Sequence, residues 1–276
     1  MPKVQIRPLK TLEEFRACER IQRTVWGDVG VASEVLKVTA KYGGVVLGAL
    51  AGERVVGFLY AFLARRGGQL IHWSHQMAVA PGYRDKRLGF RMKLAHRKLA
   101  LAQGIKAICW TYDPLQSRNA ALNITRLGGR VDEYIENCYG RFPSRIEKGL
   151  PSDRFVVEWP ITSAAVAKRL AERRRDFTGY ASLPRANEIR MTAAGFAESR
   201  RLRLNLLAAR IATEIPANTD AMRAEDFHLA ERWRLETRKI FVRYFSRGYR
   251  VEDFVAPNPS SGGRCYYILR RVKKGA

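Results

Sequence analysis

The residues best placed to do chemistry lie between positions 80 and 90, where the chain reads APGYRDKRLGF. Arg84, Lys86 and Arg87 cluster just ahead of Gly89, at the point where apolar residues begin to recur at three- and four-residue spacing (Leu88, Met92, Leu94, Ala95, Leu99). A helix that starts here presents N–H groups without intrahelical partners and the positive end of its dipole. With cations and a glycine beside it, such a start is a ready site for an anion, most simply a phosphate. An ordinary strand–turn–helix with solvated charges is the alternative reading of the same residues. Upstream, residues 70–79 mix apolar and aromatic side chains as a buried strand does, and Pro81-Gly82 stops it.

The totals narrow the class of protein. A chain of 276 residues with 46% hydrophobic and 10% aromatic residues has ample material for a core. Its net charge of +24 divides evenly, +12 in residues 1–160 and +12 in 161–276, so the basicity is not a tail. Such a surface favours polyanions in general, whether nucleic acid, an anionic membrane face or a phosphate-rich cofactor. Cys18, Cys109, Cys138 and Cys265 form no CxxC pair and read as buried thiols of a reducing compartment, so neither a metal site nor a disulfide framework is expected. The N-terminus has no apolar signal core, and the most apolar window, 45–64, is broken by Glu53 and Arg54. A cytoplasmic protein without a membrane span is the expectation.

The elements that must position the turn follow from periodicity. Residues 3–8 alternate as a strand. Thr11 and Glu14 form a capping-box pattern ahead of a helix with Phe15, Cys18, Ile21, Gln22 and Val25 on one face. A shorter helix over 33–42 and two strands, 45–51 and 54–64, joined by Gly52-Glu53, come next. After the central strand and helix, Gly104 leads into a buried strand over 105–112, parallel to its predecessor by the crossover rule. Asp113-Pro114 ends it. A helix over 117–127 runs to Gly128-Gly129, and strands over 130–139 and 154–159 complete a first part, 1–160. Residues 161–176 read as a basic helix carrying Arg173-Arg174-Arg175, and 176–205 as a loop-rich connector without a sustained period. A strand over 209–215, a long helix over 225–247 with Leu229, Trp233, Ile240, Phe241, Tyr244 and Phe245 in an apolar stripe, and strands over 249–256 and 265–271 follow. The fold class is α/β, an α+β mixed sheet with helices on its faces, followed by a smaller β-α-β-β part over 206–276. That part is expected to pack on the first or to mediate self-association as a homodimer.

The order β-α-α-β-β-β-α-β-α-β-β, with Val79, Pro81, Arg84 and Gly89 spaced as they are, resembles the GNAT acyltransferase superfamily, which transfers acyl groups from coenzyme A. The resemblance covers about residues 1–160. Within it, WTYDPLQSRNAALNITRLGG (110–129), ENCYG (136–140) and PSDRF (151–155) resemble a subgroup of large two-part GNAT proteins.

That resemblance implies a co-substrate, acetyl-CoA or another acyl-CoA, and a set of site residues. The pyrophosphate would lie on Arg84, Asp85, Lys86, Arg87, Leu88, Gly89 and Phe90, where the family motif is Gln/Arg-x-x-Gly-x-Gly/Ala. Arg87 replaces the middle glycine and is expected to take helical φ/ψ. The fourth strand splays from the fifth, and the main chain of Met77, Ala78 and Val79 would bind the pantetheine arm. Asn119 would approach the thiol arm, or else cap its helix locally. The position of the family's usual acid, a tyrosine, falls on Ile124. For the base, His75 is the first candidate, because histidine titrates near neutrality, and Asp113 the second. His72, three residues from His75, is expected to face the other way. Tyr112, Tyr139 and Arg154 would line the acceptor side, while His96 and His228 read as solvated.

Two functions from different classes result. One is an N-acyltransferase acting on a primary amine, with the basic charge favouring a small carboxylate-bearing acceptor such as an amino acid. The other is a non-catalytic GNAT-fold module that binds nucleic acid or another polyanion.

Overall fold

The computed structural model describes residues 3–27, 30–84, 86–140, 149–172 and 178–272. Asp85 and the run Arg173-Arg174-Arg175 lie outside the described residues. The chain divides into two compact units, the first of residues 1–110, 142–149 and 159–163, the second of 111–141, 150–158 and 164–276.

The first unit is a sheet with helices on both faces. It contains β1 (Val4–Pro8), α1 (Leu12–Trp26), α2 (Ser33–Lys41), β2 (Val45–Ala51), β3 (Arg54–Arg66), β4 (Gln69–Val79), α3 (Leu88–Ala102) and the start of β5 (Ile108–Tyr112). The strand order follows the chain, β1 to β5. The first four are antiparallel neighbours, and β5 joins β4 in parallel, as the crossover rule requires. Neighbouring residues of β2 and β3 serve opposite faces. Val46, Leu50, Phe58 and Tyr60 pack with Phe15, Cys18 and Leu36 of α1 and α2, whereas Val45, Leu47, Val56 and Leu59 pack with Leu88 and Met92 of α3. Burial on both faces is why these strands read as continuous apolar runs. The capping box forms as expected: Glu14 N donates to Thr11 Oγ1 (3.2 Å) and Thr11 N to Glu14 Oε2 (3.1 Å).

The second unit holds α4 (Ser117–Ala120), which continues as a π-helical segment (Ala121–Arg126), then β6 (Arg130–Ile135), β7 (Arg154–Trp159), α5 (Ala164–Ala171), β8 (Asn187–Met191), β9 (Ala197–Leu202), β10 (Arg210–Ile215), α6 (Thr219–Glu225), α7 (Phe227–Ser246), β11 (Tyr249–Val255) and β12 (Cys265–Arg271). Its larger sheet has the order β7-β6-β11-β12-β10, antiparallel throughout. The apolar stripe of α7, Leu229, Trp233, Ile240, Phe241 and Tyr244, is buried.

Three differences from the sequence expectation have physical causes. The stretch 176–205 is not only connector: β8 and β9 form a hairpin closed by Thr192 N donating to Phe196 O (2.8 Å). Its anchor is polar, with Asn187 exchanging hydrogen bonds with the Glu214 main chain (both 2.9 Å), so apolar alternation does not mark it. The helix over 117–127 is one α-turn that widens into π geometry. The compact units divide elsewhere than near residue 160: β6 pairs with β11 at Val131↔Val251, and both strands lie in the second unit. The fold class itself is the mixed α/β arrangement anticipated. Among the described residues no helix is long and apolar enough to cross a membrane.

Candidate active site

In the first unit the two central strands part company early. β4 and β5 share only the pairs His72↔Ile108 and Trp73↔Cys109 among the described residues. From Ser74 to Val79 the edge of β4 turned toward β5 carries no ladder pair, while the opposite edge remains bonded to β3. A β-bulge adds to the divergence. Tyr60 pairs with Gln76 and Ala61 with Ser74, which leaves His75 as the extra residue on β4.

The bulge exposes His75 while its ring stays wedged between Tyr60 and Phe62, with centroids 5.9 and 5.8 Å away. These apolar neighbours desolvate the imidazole and lower its pKa below the ordinary 6.5. A histidine in that state is neutral at pH 7 and has a lone pair to accept a proton. His72 is fully buried, as expected for the other face.

Beyond β4, a short 3₁₀ turn (Pro81–Tyr83) leads to Arg84, whose Nε donates to Val79 O (3.3 Å). Lys86 Nζ reaches Gly82 O (3.3 Å) and lies over the Tyr83 ring. Helix α3 begins at Leu88, no acidic residue occupies its first turn, and Arg91 N donates back to Arg87 O (3.1 Å). Leu88 is buried and anchors the turn, whereas Gly89 and Phe90 are part-exposed at the helix start. Asp85, the remaining candidate of this stretch, lies outside the described residues. Arg87 corrects the sequence expectation. It is not helical but left-handed, with φ 57° and ψ 18°. The motif's glycine position thus demands the backbone that glycine supplies freely and that costs an L-residue about 1–2 kcal/mol. Arg87→Gly is therefore expected to raise unfolding stability in urea by about 0.5–1 kcal/mol, the gain being reduced by glycine's freer unfolded chain.

At the root of the opening lies a residue that periodicity did not single out. Lys93 of α3 is 2% exposed. Its Nζ donates to Ser74 Oγ (3.1 Å) and sits 3.5 Å from the centre of the Trp110 ring. Burial brings its pKa down to about 7. One turn on, His96 is fully buried, which overturns its reading as solvated; its Nε2 and His72 Nδ1 are 3.0 Å apart and share a hydrogen bond. Burial, then Lys93, then His72 hold His96 well below the ordinary histidine value. The available signal was the stripe Leu88, Met92, His96, Ala100, on whose flank Lys93 falls. His228 is exposed, as expected.

The other candidates belong to the second unit. Asp113 accepts from Arg234 Nη2 (2.6 Å) and from Leu115 N (2.8 Å). Burial alone would raise its pKa, but the Arg234 guanidinium outweighs this and holds the carboxyl below the usual range, which makes it a feeble base. Tyr112 is a core residue: its hydroxyl meets that of Tyr267 (3.1 Å), and its ring packs edge-on to Phe155. Tyr139 is exposed, bonded to Thr111 Oγ1 (3.1 Å), with the Arg154 guanidinium over its ring at 5.3 Å, so these two do come together. Asn119 is exposed in α4 and is not its cap, which is Gln116. Ile124 is fully buried.

No family model matches the chain, and no curated protein does. Solved structures similar to it include the ribosomal-protein-S18-alanine N-acetyltransferase of Escherichia coli, at 14% identity and a TM-score of 0.48 over 59% of this chain and 96% of that one. NAA60 of Arabidopsis thaliana in complex with acetyl-CoA gives 13% and 0.47 over 57% and 99%. An acetyltransferase of the GNAT family from Streptococcus pneumoniae gives 16% and 0.46 over 56% and 98%. Its element order, the parting of β4 from β5 and the basic turn ahead of α3 are the features by which the chain resembles the GNAT acetyltransferases.

Proposed function

We propose that this chain is an acyl-CoA-dependent N-acyltransferase that moves an acetyl or other acyl group onto the primary amine of a small carboxylate-bearing molecule such as an amino acid. The observation that carries the reading is the sequence of features along β4: a root closed by paired strands, a freed edge, and a basic turn at the open end. Phosphates at the turn would meet Arg84, Lys86, Arg87 and the amides at the start of α3, and the arm would add its amide groups to the freed edge along Met77, Ala78 and Val79. Asn119 keeps its place as a candidate contact of the thiol arm, and Tyr139 with Arg154 as candidates for the acceptor side.

The chemistry needs little more. The amine nitrogen attacks the thioester carbonyl, the C–N bond forms and the C–S bond breaks. His75 takes the proton that the amine loses. The thiolate, with a pKa of about 8.5 as a free thiol, leaves without a dedicated acid, in keeping with the buried isoleucine at 124. Asp113, already committed to Arg234, serves as a structural ion-pair partner rather than a base.

Calorimetry with coenzyme A, followed by a screen of amines against acyl-CoAs with free thiol as the readout, tests the reading. Binding in the micromolar range and amine-dependent thiol release are expected. No binding at millimolar coenzyme A would overturn the assignment.

A further inference from the structure

The last paired residues of β4 and β5 are Trp73 and Cys109, and the next residue on each strand, Ser74 and Trp110, engages the same third group. That group is Lys93 Nζ. The lysine, reached from α3, therefore bridges the two strands where they part, and its terminal amine is buried there. The residues around it are unusual in sign. His96 and His72 are the titratable neighbours on α3 and β4, and the thiol of Cys109 on β5 is contacted by Arg66 Nη1 at 3.9 Å. Among the described residues no carboxylate forms an ion pair with Lys93. A buried lysine is ordinarily matched by an acid, because an uncompensated ammonium is expensive to desolvate.

Distance connects this end with the other. Five residues of extended strand separate Ser74 from Val79, roughly 17 Å at the rise of a β-strand. An extended phosphopantetheine arm is of that order, so an acyl-CoA with its phosphates at residues 84–90 would bring its acyl group to the root. This step rests on the acyl-CoA reading above. We infer that Lys93 selects acyl groups that end in a carboxylate, such as malonyl or succinyl, by supplying the cation that pairs with that terminal carboxylate. Ser74 and the face of Trp110 hold the amine where β4 and β5 part. A neutral chain of equal length would leave the lysine uncompensated.

The test compares calorimetric affinities of coenzyme A, butyryl-CoA and succinyl-CoA for the wild-type chain and for Lys93→Met, with malonyl-CoA as a second acid. Succinyl-CoA is expected to bind the wild type about tenfold or more tightly than butyryl-CoA, and the preference is expected to vanish or invert in the variant. If coenzyme A binds but the two thioesters bind alike, selection by Lys93 is wrong while the acyl-CoA reading stands. A preference for succinyl-CoA that survives in Lys93→Met also overturns it. Failure of every thioester and of coenzyme A itself overturns both.

Discussion

Replacing Lys93 by methionine is expected to stabilise the protein at neutral pH, by about 3 kcal/mol. Methionine fills the lysine stem with an apolar chain, so the change removes a charge without opening a large cavity. The magnitude follows from linkage. Unfolded, the lysine keeps its ordinary pKa of 10.5; folded, it titrates at about 7. Below pH 7 both states carry the proton and folding has to bury the full charge. From pH 7 upward the unfolded chain holds a proton that the folded chain has released, so stability rises with pH by about 1.4 kcal/mol per unit. The whole span would amount to about 5 kcal/mol. Attraction of the ammonium to the face of Trp110 offsets about 1–2 kcal/mol of that, which burial alone leaves out. Buried thiols with pKa raised to about 12, Cys18 and Cys265, oppose the trend above pH 9 and are common to both proteins. The difference between wild type and variant, read by urea unfolding from pH 6 to 9, therefore isolates Lys93. It should be largest at pH 6 and shrink as the pH rises. A variant less stable than the wild type at pH 6 would mean that the lysine is already compensated in the fold.

Such a costly residue was hard to find from the sequence, and the reason is instructive. A lysine on an amphipathic helix is solvated by default, and nothing local to α3 distinguishes Lys93 from Lys98. Its burial is decided by Ser74 and Trp110, which reach it only through the β4–β5 pairing. The same holds for His75, whose bulge carries no glycine or proline to announce it, and for Arg87, since arginine seldom marks a left-handed position. What was legible has short-range causes. Continuous apolar runs gave β2 and β3, the capping box gave α1, the glycine stop and 3.6-residue period gave α3. The basic turn ahead of α3 was visible for the same local reason. Failures came where polar anchoring replaced periodicity, as at Asn187 in the β8–β9 hairpin, and long-range pairing such as that of β6 with β11 has no local signal.

The base is where function can be separated most sharply from packing. His75→Phe keeps an aromatic ring between Tyr60 and Phe62 and removes only the proton acceptor. If His75 takes the proton of the attacking amine, this variant should lose about 10²–10³-fold in kcat, the usual share of one general base. The affinity for coenzyme A should stay unchanged, because the proposed contacts of the arm and phosphates do not involve the imidazole. The wild-type rate should fall as acid protonates the ring, and since desolvation against two aromatic rings lowers its pKa, the acid limb should lie below pH 6.5. That limb should disappear in His75→Phe. A structural role predicts the opposite pattern: phenylalanine would be tolerated, alanine would not, and the acid limb would persist in both. Asp113 provides the contrast, since Asp113→Asn should act through the lost ion pair with Arg234 and thus lower stability more than it alters the acid limb. If the acid limb instead follows Asp113, the proton acceptor is the carboxylate, and the exposed ring of His75 serves only to shape the bulge on β4.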